Sequence, residues 1–387
     1  MNFIVKKIKK YIPEKNRFKL KRYLFGFINS KNWLDVGINK FNSSDIKPIL
    51  YFGQDIIDEH GITFGGNVKL LWLQNYFDVS IKHCNIIYLV SSSFPAGAHR
   101  LVIRAKSRGV KFVWNQNGVS YPASEPKLWK TRNKEMSLLF HLADYIIYQS
   151  HFCKSGADKY LGKAEAKYEI IYNSVDTKFY KVLEVSRHKK PLTLLLGGNQ
   201  YRKYRLDVAL RTLAEVKKII KDVRLVVTGK VTWDGVDEDK CLDIANNLIK
   251  RLNIEENVEF LGKFTQKEGP AIYNKADILL HTKFMDPCPG IILEAMSCGL
   301  PVVYPANGGL PELVGENCGI GVLTEENYEN KIIPNYIKLA EGVIKIADNL
   351  REYSENARKH AFDKFNMNDF VAKHKEIFTH ILKNKTK

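Results

Sequence analysis

Asp286 and Glu294 stand eight positions apart, with Pro287, Pro289 and Gly290 between them. The prolines forbid a regular helix there, so Asp286 is expected on a loop. Ile291 to Cys298 reads as a helix that begins at the glycine. Glu294 is expected in its first turn, near the positive end of the helix dipole. Ionised carboxylates in such places accept hydrogen bonds from sugar or ribose hydroxyls. Gly299-Leu300-Pro301 stops the helix, Val302-Val303-Tyr304 reads as a buried strand, and Asn307-Gly308-Gly309 opens another loop. Two glycine-rich loops, each at a helix N-terminus, suit phosphate.

A further cationic cluster lies upstream. Gly197-Gly198-Asn199-Gln200-Tyr201-Arg202-Lys203-Tyr204-Arg205 follows a strand-like run. Glycines after a strand let a backbone approach a ligand closely. Arg202, Lys203 and Arg205 suit a diphosphate, which needs several cationic donors. Gly61-Ile62-Thr63-Phe64-Gly65-Gly66-Asn67 is a glycine loop of the first half of the chain. Trp114-Asn115-Gln116-Asn117-Gly118-Val119 ends another strand. Asn117 there donates and accepts hydrogen bonds but cannot act as acid or base near pH 7. Asp144 reads as a cap at a strand start, and His99 and His141 as surface or core residues. No His/Asp/Glu cluster has metal-ligand spacing and no DxD-type pair sits at a strand end, so neither metal nor other cofactor is expected. Cys288 beside Asp286 reads as a packed loop cysteine, with a reactive thiol as the alternative.

The elements that must position these residues alternate along the chain. Strand-length apolar runs occur at Ile49–Phe52, Ile86–Val90, Phe112–Trp114, Tyr145–Tyr148 and Ile170–Tyr172, with helical patterns such as Val68–Phe77 and His99–Arg108 between them. A second series runs through Leu192–Leu196, Leu225–Thr228, Val258–Leu261, Ile278–Leu280, Val302–Tyr304 and Ile320–Val322. Alternation of this kind means α/β folding, with parallel sheets covered by helices on both faces. Two series imply two Rossmann-like domains, whose ligands sit at the carboxyl ends of the strands. The expected division is a basic segment 1–47, a first domain 48–182, a second domain 183–368 and a terminal segment 369–387. A charged linker is placed near Asp176–Lys190. Asp369–Leu382 reads as an amphipathic helix, with Phe370, Ile377, Phe378 and Ile381 apolar.

The stretch from His281 to Gly315 resembles the donor-binding segment of the family-4 glycosyltransferases. Their signature is Glu, seven residues, Glu, then Ala-Met-x-x-Gly-x-Pro-Val-Val. Here Glu294-Ala295-Met296-Ser297-Cys298-Gly299-Leu300-Pro301-Val302-Val303 is intact, and Asp286, one methylene shorter, stands at the first position. The resemblance runs from about Pro48 to Leu382, strongest over 281–315, good over 142–176 (including Asn173-Ser174-Val175-Asp176) and loose before 48. It implies a GT-B architecture with a central cleft and a last helix that crosses back to the first domain. It implies a retaining transferase that moves a sugar from a nucleotide-sugar donor, bound by the second domain, to a glycan or lipid-linked acceptor on the first. Surface-glycan assembly in bacteria is the implied setting. Glu294 would hold ribose hydroxyls and Asp286 the transferred sugar. Arg202 and Lys203, with Arg205 in reserve, would meet the diphosphate. Gly290, Ile291 and Ile292 at the helix start, Gly198 and Asn199, and the loop glycines Gly65 and Gly66 would also line the donor. Many members carry a sugar-contacting histidine where Asn117 stands. The alternatives are a sugar-nucleotide epimerase of the same fold and a non-catalytic glycan- or membrane-binding relative.

Composition fits this reading. The chain of 387 residues is 45% hydrophobic, long enough for two cores. No apolar run reaches membrane-span length and no signal-peptide core is seen. The six cysteines are scattered without a CxxC pair, which fits a reducing cytoplasm. The net charge is +18, and residues 1–22 carry nine Lys/Arg against the single Glu14. Ile4, Val5, Ile8, Tyr11 and Ile12 recur there at helical spacing, opposite Lys6, Lys7, Lys9 and Lys10. Such a basic amphipathic helix either lies on an anionic membrane or packs on the first domain. Nucleic acid is not expected as a partner, because no helix-turn-helix spacing, zinc knuckle or aromatic RNA-binding signature accompanies the charge.

Overall fold

Runs of β-branched and leucine residues, apolar on both sides of the pleat, form strands only where both faces are covered. The computed structural model describes residues 33–38, 47–54, 66–183 and 191–383. The basic helix expected within 1–22, and the glycine loop as far as Gly65, lie outside the described residues.

In the first domain, β1 (Ile49–Tyr51), β2 (Asp78–Val79), β3 (Ile86–Val90), β4 (Lys111–Gln116), β5 (Tyr145–Tyr148) and β6 (Lys167–Ile170) form one sheet in the order β2-β1-β3-β4-β5-β6. Every pairing is parallel. Helices α1 (Gly66–Leu73), α2 (Ala98–Lys106), α3 (Trp129–Leu142) and α4 (His151–Tyr160) connect and cover these strands.

The second domain repeats the design. Its strands are β7 (Leu192–Leu196), β8 (Val223–Thr228), β9 (Val258–Gly262), β10 (Ile278–Leu280), β11 (Val302–Ala306) and β12 (Gly319–Leu323), ordered β12-β11-β10-β7-β8-β9. All are again parallel. Its helices are α5 (Lys203–Ile219), α6 (Glu238–Arg251), α7 (Gly269–Tyr273), α8 (Gly290–Ser297), α9 (Leu310–Val314), α10 (Tyr336–Asp348) and α11 (Leu350–Lys364). The last helix, α12 (Met367–Lys383), returns to the first sheet. Phe370, Ile377, Phe378 and Ile381 pack there with Leu50, Phe77, Tyr88 and Ile147. The crossing expected for this helix is therefore present, driven by burial of its apolar stripe.

Strand order fixes where ligands can bind. In each sheet the order reverses beside the first strand of its domain, between β1 and β3 and between β7 and β10. Successive connections leave such a point in opposite directions, which opens a crevice at the carboxyl ends of the two strands. The loops after β7 and β10 carry Gly197–Arg202 and His281–Pro289, the two stretches singled out from the sequence. One difference concerns β6. Ile170–Tyr172 is expected as strand, yet pairing covers Lys167–Ile170 and stops there. This edge strand is largely exposed and polar, and Ile171, just beyond it, is buried.

Candidate active site

The cleft between the domains has a volume of about 3200 Å³. Asp286, Gly290, Ile291, Glu294, Gly198, Asn199, Arg202 and Arg205 line it from the second domain, and Gly66 and Asn117 from the first.

Asp286 sits on the loop between β10 and α8, as the prolines require. Its Oδ1 accepts Lys283 Nζ at 2.8 Å, and its Oδ2 lies 3.1 Å from His281 Nε2. Burial alone would raise its carboxyl pKa, but Lys283 and His281 outweigh burial and hold it well below the usual carboxylate range. Burial pushes His281 down, so the imidazole is neutral and donates Nε2–H to the ionised Asp286. The loop itself is held from both domains. Met285 takes a positive φ of 49° and its N–H donates to Asn307 Oδ1 at 2.9 Å. Gly309 N–H donates to Asp286 O at 2.9 Å. From the first domain, Tyr121 Oη donates to Met285 O, Ser150 Oγ to Pro287 O and Asn173 Nδ2 to Cys288 O. A strained non-glycine φ persists only where its surroundings over-determine it, and this loop has that support.

The Asn307-Gly308-Gly309 loop therefore plays a different part from the expected one. It does not line the cleft and is no open phosphate site. It braces the Asp286 loop so closely that a Cβ at Gly309 would stand 1.8 Å from the Pro287 oxygen.

Glu294 occupies the second turn of α8, since the helix starts at Gly290. The expectation of a first-turn position is corrected: the N-terminal amides lie a turn away, and dipole stabilisation falls off over that distance. Its carboxyl pKa is accordingly raised by burial, opposed by the Tyr273 hydroxyl, which donates to Oε2 at 2.6 Å. Ile292 is also corrected. Its side chain is fully buried in the core and its N–H donates to Pro289 O, so it does not face the cleft. The helix ends in a Schellman arrangement, with Leu300 N–H on Ala295 O, Gly299 N–H on Met296 O and Gly299 at φ 78°.

The cations after β7 divide into three roles. Arg202 Nη2 donates to Ser124 O at 2.8 Å and stands 3.5 Å from Glu125 Oε1, so it bridges to the first domain at the cleft edge. Lys203 pairs with Asp207 one helical turn on and does not line the cleft. Arg205 is buried and donates to Asn199 O and Gly197 O, which fixes the turn beneath the ligand space. Gly197 must be small, because a Cβ there would stand 2.0 Å from Ile291 Cδ1. Gly198 has φ 79° and its N–H donates to Thr228 Oγ1; Asn199 Oδ1 accepts Lys230 N–H.

Across the cleft, Asn117 Nδ2 donates to Ser92 Oγ at 2.6 Å and its Oδ1 accepts the Ser91 hydroxyl. Asp144 is structural, accepting Phe112 N–H and pairing with Lys106. Cys288 is a buried thiol pushed up to about 12, so it is protonated and packed rather than reactive.

Sequence reasoning missed Tyr273, His281, Lys283, Tyr121, Ser150 and Glu312. The Glu312 carboxylate reaches from the second domain to cap α4, accepting His151 N–H and Phe152 N–H. Only Lys283 left a local signal, a cation three residues before a carboxylate on a loop.

Two parallel-sheet domains whose switch-point loops face a shared cleft define the GT-B fold. Residues 180–360 match the family model of the glycosyl transferases group 1. The chain is 24% identical over 351 residues to N-acetyl-alpha-D-glucosaminyl L-malate synthase of Bacillus anthracis, covering 89% of this chain and 87% of the relative. A Homo sapiens phosphatidylinositol N-acetylglucosaminyltransferase chain is also 24% identical, over 226 residues, covering 58% of this chain and 44% of the relative. Among solved structures, sucrose-phosphate synthase from Thermosynechococcus elongatus aligns with TM-score 0.69 at 15% identity, over 87% of this chain and 99% of that one. Anabaena Alr3699/HepE, solved in complex with UDP-glucose, aligns with TM-score 0.64 at 18% identity, over 86% and 99%. Both structures share the fold.

Proposed function

We propose that this glycosyltransferase transfers a sugar, with retention of anomeric configuration, from a nucleotide-sugar donor to a glycan or lipid-linked acceptor in bacterial surface-polysaccharide synthesis. The observation that carries the reading is Glu294. It is a carboxylate that lines the cleft, steadied by Tyr273 on one oxygen and one turn along α8 from Gly290. A ribose diol donates two hydrogen bonds to such a group. Asp286, ionised and held by two partners, faces the same space and supports the reacting sugar. Gly290 and Ile291 at the helix start, with Arg202 and Arg205, provide positive potential for the departing diphosphate, whose charge grows in the transition state. Lys203 would join them only by leaving Asp207. A UDP-sugar is the first donor to try, given the UDP-glucose bound by the Anabaena neighbour.

Asn117 cannot serve as the general base that an inverting displacement uses, and the leaving phosphate can itself take the acceptor proton. The product is therefore expected to keep the donor's anomeric configuration, read from NMR coupling constants of the new linkage. Charge compensation by arginines and helix amides predicts that EDTA leaves activity largely unchanged. An inverted product, or activity lost in EDTA and restored by magnesium or manganese, would overturn these two points respectively.

We also place the protein in the cytoplasm at the inner face of the membrane, held by the basic segment 1–22. No described helix is long and apolar enough to cross a membrane. Binding to anionic liposomes is expected to collapse at 1 M salt, where the screening length shortens to about 3 Å. Undiminished binding by a chain starting near Pro48 would dispose of the idea.

A further inference from the structure

Lys69, on α1, is 6% exposed and lines the first-domain wall of the cleft beside Ser91, Ser92 and Gln149. Its Nζ donates to Asn115 Oδ1 at 2.9 Å, and the same oxygen accepts Gln149 Nε2 at 2.8 Å. An ammonium has three donors. The titratable groups that face it are neutral. They are Cys153 of α4 and Cys288 of the Asp286 loop, with His374 of α12 and Tyr88 of β3 behind Asn115. Burial keeps both thiols and the Tyr88 hydroxyl protonated, and it keeps His374 unprotonated. Carboxylates on the adjoining elements are already committed, Glu312 to the α4 amides and Tyr172, Asp286 to His281 and Lys283. Among the described residues Lys69 forms no salt bridge. Burial pushes its ammonium down to about 7.

A buried cation without a counter-charge is costly, and a bound anion that supplies the missing charge relieves that cost. The wall is the one opposite Glu294 and Asp286. We propose that Lys69 forms an anion subsite for the acceptor, seating a carboxylate or phosphate group that the acceptor carries. This rests on the reading that the first domain holds the acceptor. The bound anion favours the charged amine, so binding above pH 7 draws a proton onto Lys69 and affinity falls as pH rises.

The test is calorimetric titration of malonate, and separately of inorganic phosphate, into the full chain saturated with UDP at pH 8. Two buffers of different ionisation enthalpy report proton uptake. UDP binding is measured first in the same instrument, so a failed donor reading shows itself before the anion is added. One anion is expected to bind saturably with net proton uptake, and which one does distinguishes carboxylate from phosphate. Lys69→Met should weaken it at least tenfold, whereas Lys69→Arg should keep binding and lose the uptake. Equal binding by Lys69→Met, absent uptake in the wild type, or no saturable binding of either anion would overturn the proposal. So would binding seen only without UDP, which would assign the anion to the nucleotide's diphosphate site. Should Lys69→Met not fold, uptake in the wild type against Lys69→Arg decides.

Discussion

Replacing Glu294 by glutamine is expected to weaken nucleotide-sugar binding by roughly 30-fold or more, at about 1.5–3 kcal/mol for each charge-assisted hydrogen bond lost. The same substitution should raise the melting temperature of the unliganded protein at pH 7. The sign follows from the raised folded pKa of this carboxyl, whose cause is burial. A group raised in the folded state favours folding fully below its unfolded pKa. That contribution is lost as pH rises through the folded value, so at neutral pH the ionised group costs stability. Glutamine keeps an oxygen for the Tyr273 hydroxyl and removes the charge. Thermal melts from pH 4 to 8, with and without UDP-sugar, check both halves. Donor affinity within twofold of wild type would refute the ribose assignment, and a lower unliganded melting temperature at pH 7 would refute the burial argument. A residue that weakens the empty protein and strengthens the loaded one is the usual mark of a binding group.

Asp286→Asn is expected to act in the opposite direction on stability. Its folded carboxyl lies well below the unfolded value, held there by Lys283 and His281. Such a group stabilises the fold above its unfolded pKa, and the contribution is lost as pH falls through the folded value. Breaking a fully buried pair costs about 3–5 kcal/mol. Lys283 is 44% exposed, so the expected loss at pH 7 is smaller, about 1–3 kcal/mol after screening. The variant should also lose the wild type's destabilisation below about pH 4. Turnover should fall about 100-fold or more, as when a preorganised electrostatic group is removed. Urea titrations at pH 3 and pH 7, with single-turnover kinetics, separate the effects. Normal turnover in a folded variant would remove Asp286 from the active site.

Much of this was legible in the sequence because it is local. Apolar runs bounded by turn residues located β3, β5, β7 and β10 residue for residue, since a strand buried on both faces must be apolar throughout. Pro287 and Pro289 kept Asp286 off a helix, and Gly299 ended α8. The glycine after β7 was required by the approach of Ile291. Polar or very short edges left no such trace: β2 is only Asp78–Val79, and β6 was displaced by the buried Ile171 beyond it.

The site's electrostatics and its assembly were decided by the tertiary structure. Whether a carboxylate is ionised depends on which neighbours the folded loop turns toward it and on how deeply it is buried. Lys283 and His281 depress Asp286, while burial raises Glu294. The helix start at Gly290 was legible from the glycine, and counted from it Glu294 is the fifth residue, in the second turn. Of three adjacent cations, one bridges domains, one pairs along its helix and one lies under the loop. Their sequence is nearly uniform, and only the packing of Ser124, Asp207 and the Gly197 turn tells them apart. The Asp286 loop, finally, is held by Tyr121, Ser150 and Asn173 from more than a hundred residues away. The sequence by itself determined two parallel α/β domains and, in the second, the loops after β7 and β10 that line the cleft. Contacts within the second domain determined the charge of the groups those loops carry, and contacts across the domain interface helped to fix their position, because hydrogen bonding and desolvation act through space and leave no periodicity along the chain.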